Sequence, residues 1–87
     1  MILKVAKFGG SSLADAEHFM LVKNIVRADS GRKYIVPSAP GKRNFDDSKI
    51  TDVLLKCDEN SKKGKSFDSC FLEIKHRFDA IIEQLNL

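Results

Sequence analysis

The stretch Lys4–Leu13 reads KVAKFGGSSL, and it decides how the rest of the chain is interpreted. An apolar run carrying a lysine near its end leads into two glycines and two serines, and an amphipathic segment begins directly after them. This order is typical of a strand that turns sharply into a helix. It would place a cation, backbone N–H groups and a helix N-terminus at one point, and each of the three favours an anion such as phosphate.

A strand, a helix and a second strand follow one another at the start of the chain. We predict a first strand at residues 2–8, whose apolar residues show little alternation, as in a strand buried on both faces. Ser12 and Asp15 have the spacing of a capping box that opens the helix. Residues 33–36, KYIV, predict the second strand. Two strands joined by a crossover helix form a βαβ unit with a parallel pair, so the fold class is α/β.

The segment after the second strand, residues 38–49, is predicted to be a loop. It is polar, it contains the turn signal Pro40-Gly41, and long loops at the carboxyl end of a parallel strand are where α/β proteins bind ligands. Two interpretations are open. The loop is a solvated, mobile connection, or it is a lid in which Lys42 and Arg43 attract an anion while the two aspartates at residues 46–47 repel it.

Two helices are predicted in the second half of the chain. The first spans residues 50–57 with Thr51 near its N-cap, and a polar connector follows at residues 58–65. The second spans residues 66–85. Its apolar residues recur at alternating spacings of four and three: Phe67, Phe71, Ile74, Phe78, Ile81 and Leu85. This stripe indicates packing against a sheet, or alternatively a short coiled-coil seam. Because two strands cannot cover three helices, we expect the chain to be the first part of a larger α/β domain.

Composition excludes several classes of protein. The chain has 87 residues, a net charge of +3 and 43% hydrophobic residues, as expected for a globular protein. Its two cysteines, Cys57 and Cys70, lack metal-ligand spacing, so no metal site is predicted. No apolar run is long enough for a membrane span or a signal core, so we expect a cytoplasmic protein without a membrane partner. No dense basic stripe interleaved with aromatics is present, so a nucleic-acid partner is not expected.

The first turn suits phosphoryl transfer, although it is not a Walker A motif, in which the lysine follows the glycines. Here Lys7 precedes them, at the end of the strand. Gly9 and Gly10 lack Cβ atoms, so their backbone N–H groups can approach phosphate oxygens closely. Lys7 is a compact charge on a flexible stem and can follow charge on a transferred group. A purely structural turn explains a Gly-Gly pair after a strand equally well.

Three ordered motifs resemble those of aspartate kinases, members of the amino-acid kinase family. They are KFGGSS at residues 7–12, IVPSAPGKR at residues 35–43 and ITDVLL at residues 50–55. The resemblance extends over essentially the whole chain. It implies the αβα sandwich of the amino-acid kinase fold, of which residues 1–87 would be the N-terminal part, an incomplete domain.

The resemblance also implies an activity. Family members transfer the γ-phosphoryl group of Mg-ATP to the side-chain carboxylate of L-aspartate, which leads to lysine, threonine and methionine. The catalytic residue would be Lys7, which would stabilise charge on the transferred group. The residues implied to bind ATP are Lys7, Phe8, Gly9, Gly10, Ser11 and Ser12, and those implied to contact aspartate are Ser38 and Thr51. A carboxylate is already nucleophilic, so positioning and charge neutralisation carry such a reaction without a general base.

The family's kinase domain is several times longer and contributes further residues to aspartate and adenine. We therefore expect the 87-residue chain to be inactive alone, and the parent enzyme to be a homo-oligomer. The alternative is a non-catalytic chain that binds a protein partner through the apolar stripe of residues 67–85.

Overall fold

The computed structural model describes residues 2–87 and has the expected α/β class. Its elements are β1 (Lys4–Phe8), a 3₁₀ turn (Gly10–Leu13), α1 (Ala16–Ala28), β2 (Arg32–Pro37), α2 (Ile50–Lys62) and α3 (Asp68–Gln84). Strands β1 and β2 pair in parallel, so the predicted βαβ unit is confirmed. Among the described residues, no helix is both long and apolar enough to cross a bilayer.

Helix α1 begins later than the sequence predicts. The expected capping box at Ser12 is wrong, because residues 10–13 form the 3₁₀ turn and α1 starts at Ala16. Asp15 is the N-cap itself: its side chain accepts a hydrogen bond from the backbone N–H of His18 at 2.9 Å. Aspartate is among the most favourable N-caps, so Asp15 stabilises its own helix start rather than closing a box on Ser12.

Helix α2 runs five residues past its predicted end, into the expected connector at residues 58–65. The polar residues there form i,i+4 ion pairs along the helix, Asp58 with Lys62 at 3.0 Å and Glu59 with Lys63 at 2.7 Å. Gly64 then stops the helix with a positive φ of 70°. Its N–H donates to Ser61 and the next N–H to Asn60, which is a Schellman motif. The polar composition of residues 58–65 indicates a loop, but most of these residues belong to the helix.

The buried face of α3 differs from the predicted stripe. Of the stripe, Ile81 is buried and Ile74 and Leu85 are half-buried, whereas Phe67, Phe71 and Phe78 are exposed; Cys70 and Arg77, outside the stripe, are buried. The phenylalanines lie on a neighbouring strip of the helix surface. The periodicity identified the helix and part of its inward face correctly, but it placed the phenylalanines on that face, where the buried Cys70 and Arg77 lie instead.

The sheet is the exposed part of the molecule. Strand β1 was expected to be buried on both faces, but only Phe8 is buried, and β2 has no buried residue. Tyr34, Val36 and Val5 are exposed. The radius of gyration is 15.6 Å, against about 12 Å for a compact domain of this length. Apolar sheet and helix faces therefore remain uncovered.

Burial concentrates instead where the 3₁₀ turn, the loop at residues 38–49 and the start of α2 meet α3. The buried residues there include Ala14, Pro40, Gly41, Ile50 and Arg77, and we call this region the junction. The Ile50 N–H donates to the Pro40 carbonyl at 3.0 Å, so the loop is tied directly to the first residue of α2.

Candidate active site

A cleft of about 520 Å³ opens beside the junction. It is lined by Gly10, Ser11, Ser38, Ala39, Pro40, Gly41, Lys42, Lys49 and Thr51. These residues come from the segments that follow β1 and β2 and from the first turn of α2. Open α/β sheets bind their ligands at the carboxyl ends of the strands, and the cleft has that position.

Two glycines join the walls of the cleft. The Gly41 N–H donates to the Gly10 carbonyl at 2.8 Å. A Cβ atom on Gly41 would lie 2.7 Å from the carbonyl carbon of Gly10, closer than a side chain can approach backbone. A Cβ atom on Gly9 would meet nothing within 4 Å. Gly41 is therefore required by packing, whereas Gly9 borders open space that a ligand can enter.

Three residues that line the cleft have backbone N–H groups without an acceptor in the described part of the chain. The N–H groups of Gly10 and Ser11, at the start of the 3₁₀ turn, have no hydrogen-bond partner within residues 2–87, nor has that of Thr51 in the first turn of α2. The first N–H groups of a helical segment lack intrahelical acceptors. Such groups bind anions readily, because they add direct hydrogen bonds to the positive end of the helix dipole.

The helix start that borders the cleft is that of α2. The sequence predicts that the start of α1, directly after the two glycines, has this position. Lys49 is the N-cap of α2 and makes no side-chain capping bond, although Asp52 places a carboxylate in the first turn of the helix. The start of α1 is covered by Asp15, and the His18 backbone N–H is the main cause that lowers the pKa of this carboxyl. Of the two helix starts, that of α1 is capped by a side chain and that of α2 is not.

Lysines add positive charge to the cleft. Lys42 and Lys49 line it, and both are exposed. The sequence singled out Lys42 as a possible anion contact but passed over Lys49, since a lysine before a helix resembles an ordinary solvated residue. Its position between the ligand-binding loop and the start of α2 was the available signal.

The structure divides the residues predicted to bind ATP and aspartate. Gly10, Ser11, Ser38 and Thr51 line the one cleft, together with residues from neighbouring segments. The remaining four, Lys7, Phe8, Gly9 and Ser12, are outside its lining.

Two of these four lie on the α1 side of the sheet. Phe8 and Ser12 border a smaller space of about 140 Å³ between β1 and α1. Lys7 pairs with Val36 along the ladder and is exposed. Because neighbouring strand residues point to opposite faces, the Lys7 side chain leaves the sheet on the face away from Phe8.

Arg77 of α3 supports the cleft from beneath, and the sequence did not reveal it. Only 5% of this residue is exposed. Its guanidinium donates to the backbone carbonyls of Ser48 at 3.0 Å, Ala14 at 3.0 Å and Gly41 at 2.8 Å. Burial is the main cause that lowers the pKa of Arg77, and the neighbouring Arg43 adds to it.

Asp47 lies between two arginines. Arg43 holds its carboxylate through Nε at 2.6 Å and Nη2 at 2.9 Å, and Arg77 Nη1 is 3.5 Å away. The hydrogen bonds from Arg43 are the largest cause that lowers the pKa of Asp47. One of the two carboxylates expected to oppose anion binding is thus neutralised by Arg43 and turned into a fixed part of the loop.

Comparisons with known proteins find the same segment in aspartate kinases. The chain is 40% identical over 85 residues to aspartokinase 3 of Bacillus subtilis (strain 168), a match that covers 98% of this chain and 19% of that protein. The crystal structure of Clostridium acetobutylicum aspartate kinase superposes with a TM-score of 0.91 at 52% identity, covering 95% of this chain and 19% of that one. No family model matches the chain.

A further solved structure is E. coli aspartokinase III in complex with aspartate and ADP, with a TM-score of 0.74 and 30% identity over 97% of this chain and 17% of that chain. The chain thus spans about a fifth of the length of these relatives. The resemblance to aspartate kinases is confirmed in both sequence and fold, and it concerns a segment of those enzymes.

Proposed function

We propose that residues 1–87 form the N-terminal part of an amino-acid kinase domain, and that the cleft brings the ATP phosphates and L-aspartate together. A carboxylate oxygen of the aspartate side chain attacks the γ-phosphorus, the bond from that phosphorus to the β–γ bridging oxygen breaks, and β-aspartyl phosphate and ADP result. One observation carries the proposal. Gly10 and Ser11, inferred to bind phosphate, and Ser38 and Thr51, inferred to contact aspartate, border the same cleft although they come from three separate segments.

The electrostatics of the cleft support this reaction. The unpartnered N–H groups of Gly10 and Ser11 would bind phosphate oxygens, and the uncapped start of α2 would attract one of the negative groups. Lys42 and Lys49 would counter the repulsion between a carboxylate and a polyphosphate. Positioning and charge neutralisation are what phosphoryl transfer requires most.

Lys7 is proposed to stabilise charge on the transferred phosphoryl group. It is exposed at the end of β1, two residues before Gly9, and its long stem leaves the ammonium group free to follow the moving charge. The cleft lining within residues 2–87 has no carboxylate. This part of the chain would therefore receive Mg²⁺ already bound to ATP, with Ser11, Ser38 and Thr51 as the available oxygen donors.

A second candidate is a protein-interaction role. The observation that favours it is the strip of exposed aromatic residues on α3, Phe67, Phe71 and Phe78. Large exposed apolar patches are typical of surfaces that bind other chains. Elution volumes that stay constant over a hundred-fold range of concentration would contradict self-association through this strip.

The activity is tested by a graft. In B. subtilis aspartokinase 3, the segment that matches this chain over 85 residues is replaced by the corresponding residues of this chain. The product β-aspartyl phosphate is then trapped with hydroxylamine. We expect the graft to turn over aspartate, and Lys7→Ala to lower kcat by about 100-fold or more, as when one transition-state donor is removed. Lys33→Ala is the control, since Lys33 is also an exposed strand lysine and is not among the proposed site residues.

Two results would overturn the proposal. A graft that is folded and assembled like the unmodified enzyme but has no activity would separate the chain from the reaction. A graft whose kcat is the same with Lys7→Ala and with Lys33→Ala would remove the role given to Lys7.

A further inference from the structure

Arg77 makes contacts that link distant parts of the cleft. The residue lies in the middle of α3, almost wholly buried, yet it contacts no ligand space of the cleft itself. Its three carbonyl acceptors belong to Ala14, Gly41 and Ser48, which are 63, 36 and 29 residues away along the chain. A single side chain therefore connects α3 to the segment before α1 and to both ends of the loop between β2 and α2, and none of the three contact points has regular secondary structure.

The three acceptors lie beside functional positions. Gly41 is a wall of the cleft, and Ser48 immediately precedes Lys49, the N-cap of α2. Ala14 immediately precedes Asp15, the N-cap of α1. The guanidinium group of arginine is planar and rigid. Hydrogen bonds from it to the three carbonyls therefore also fix the distances between the backbone segments at these residues.

Both ends of the loop at residues 41–48 are thereby held by the same guanidinium. Asp47 stands beside it and accepts from Arg43 through side chain and backbone alike, so the loop is also bound internally. The loop was expected to be either a mobile connection or a lid. Its anchors instead make it a fixed rim that holds Lys42 and Lys49 at the cleft.

We propose that Arg77 is a positioning residue: its three hydrogen bonds set the distance between Gly41 and the start of α2, and this distance determines how tightly the cleft binds aspartate. That the ligand is aspartate rests on the proposed function. That Arg77 fixes the loop and the start of α2 rests on its hydrogen bonds alone. Lysine at this position has no planar fork and would satisfy the three carbonyls incompletely.

The first test is kinetic and uses the same graft. We expect Arg77→Lys to raise the KM for aspartate by about ten-fold or more, since displacement of a binding group by 1 Å is enough to cost up to about 100-fold. Arg27→Lys is the control, because Arg27 is exposed on α1. If Arg77 only stabilises the fold, Arg77→Lys lowers the melting temperature while the KM measured well below it is unchanged, and the proposal is overturned.

The second test does not depend on activity. Amide resonances of the 87-residue chain are compared for the unsubstituted protein and the two lysine variants. We expect Arg77→Lys to shift the resonances of Gly41, Lys42 and Lys49 and to speed their hydrogen exchange, with those of β1 unchanged. Equal, small changes in both variants would overturn the positioning role, even if the graft proves inactive and the proposed function fails.

Discussion

The junction and the sheet differ in how their backbones are held. In the junction, Arg77, Gly41 and Ile50 are buried, and polar side chains bind loop carbonyls directly. In the sheet, two parallel strands pair along one edge each, and most of their apolar side chains stay exposed. Two strands alone are marginally stable. The comparison teaches that the candidate site is ordered by bonds between loops, from the Arg77 side chain and from backbone N–H groups, in addition to the sheet that precedes it.

The largest difference should appear on truncating one apolar side chain in each region. Ile50→Ala removes a side chain that is 2% exposed in the junction, and we expect the free energy of unfolding to fall by about 2–5 kcal/mol. Val5→Ala acts on a strand residue that is 70% exposed, and the change should stay within about 0.5 kcal/mol. Urea denaturation followed by circular dichroism measures both. Equal losses would abolish the distinction between the two regions.

Acid should weaken the junction through Asp47. The folded-state pKa of Asp47 lies below its ordinary value of 3.8, mainly because Arg43 donates to it, so its contribution to stability is complete above about pH 5 and is lost as the pH falls towards the lowered pKa. We expect a loss of about 1.5–3 kcal/mol, the range for hydrogen bonds to a charged group. The measurement is the free energy of unfolding between pH 7 and pH 2.

Asp47→Asn provides the matched control for this profile. The variant should be less stable at pH 7 and should show a flatter acid dependence, because the titrating carboxyl is gone. A variant profile parallel to that of the unsubstituted chain would place the acid sensitivity elsewhere.

Alanine substitution at Gly41 and at Gly9 should have different effects, the first on stability and the second on ligand binding. Gly41→Ala places a Cβ atom 2.7 Å from the Gly10 backbone, and overpacking of this kind costs about 1–3 kcal/mol. Gly9→Ala meets nothing within 4 Å and should leave stability unchanged, while weakening ATP binding in the graft because the methyl group enters the proposed phosphate space. Loss of stability in Gly9→Ala, or ATP binding unchanged by it, would contradict this assignment.

The smallest effect concerns the cap of α1. Asp15→Ala should cost about 1 kcal/mol, as for a typical N-cap, because the His18 N–H loses its acceptor. Ser12→Ala should have almost no effect on stability, since Ser12 does not cap α1. Thermal denaturation measures both stability losses. A larger loss for Ser12→Ala than for Asp15→Ala would support the capping box predicted from the sequence.

Local patterns predicted most of the elements, and the errors have both local and long-range causes. Apolar runs and the turn at Gly9-Gly10 were sufficient for the βαβ unit, and four of the residues assigned to ligands do border one cleft. Helix α2 was predicted too short because ion pairs one turn apart resemble solvated loop residues. These errors are local and shift boundaries only.

Arg77 could not be found from the pattern of its own helix. A charged residue inside an apolar repeat is ordinarily a solvated position, and the carbonyls that justify its burial lie at least 29 residues away. The inward face of α3 was partly misassigned for the same reason. The exposure of β1 was also beyond reach, since a continuous apolar strand predicts burial without specifying what covers it.

The contacts of Arg77 also constrain the order in which the chain acquires its structure. Bonds that close segments of 29, 36 and 63 residues form after local helices, because their loop-closure entropy must be overcome first. On a ribosome that adds roughly 5–20 residues per second, Ala14 waits about 3–13 s before its partner is synthesised. The glycine turn is thus made well before Arg77, and the cleft it borders acquires its full set of contacts only once Arg77 has been added.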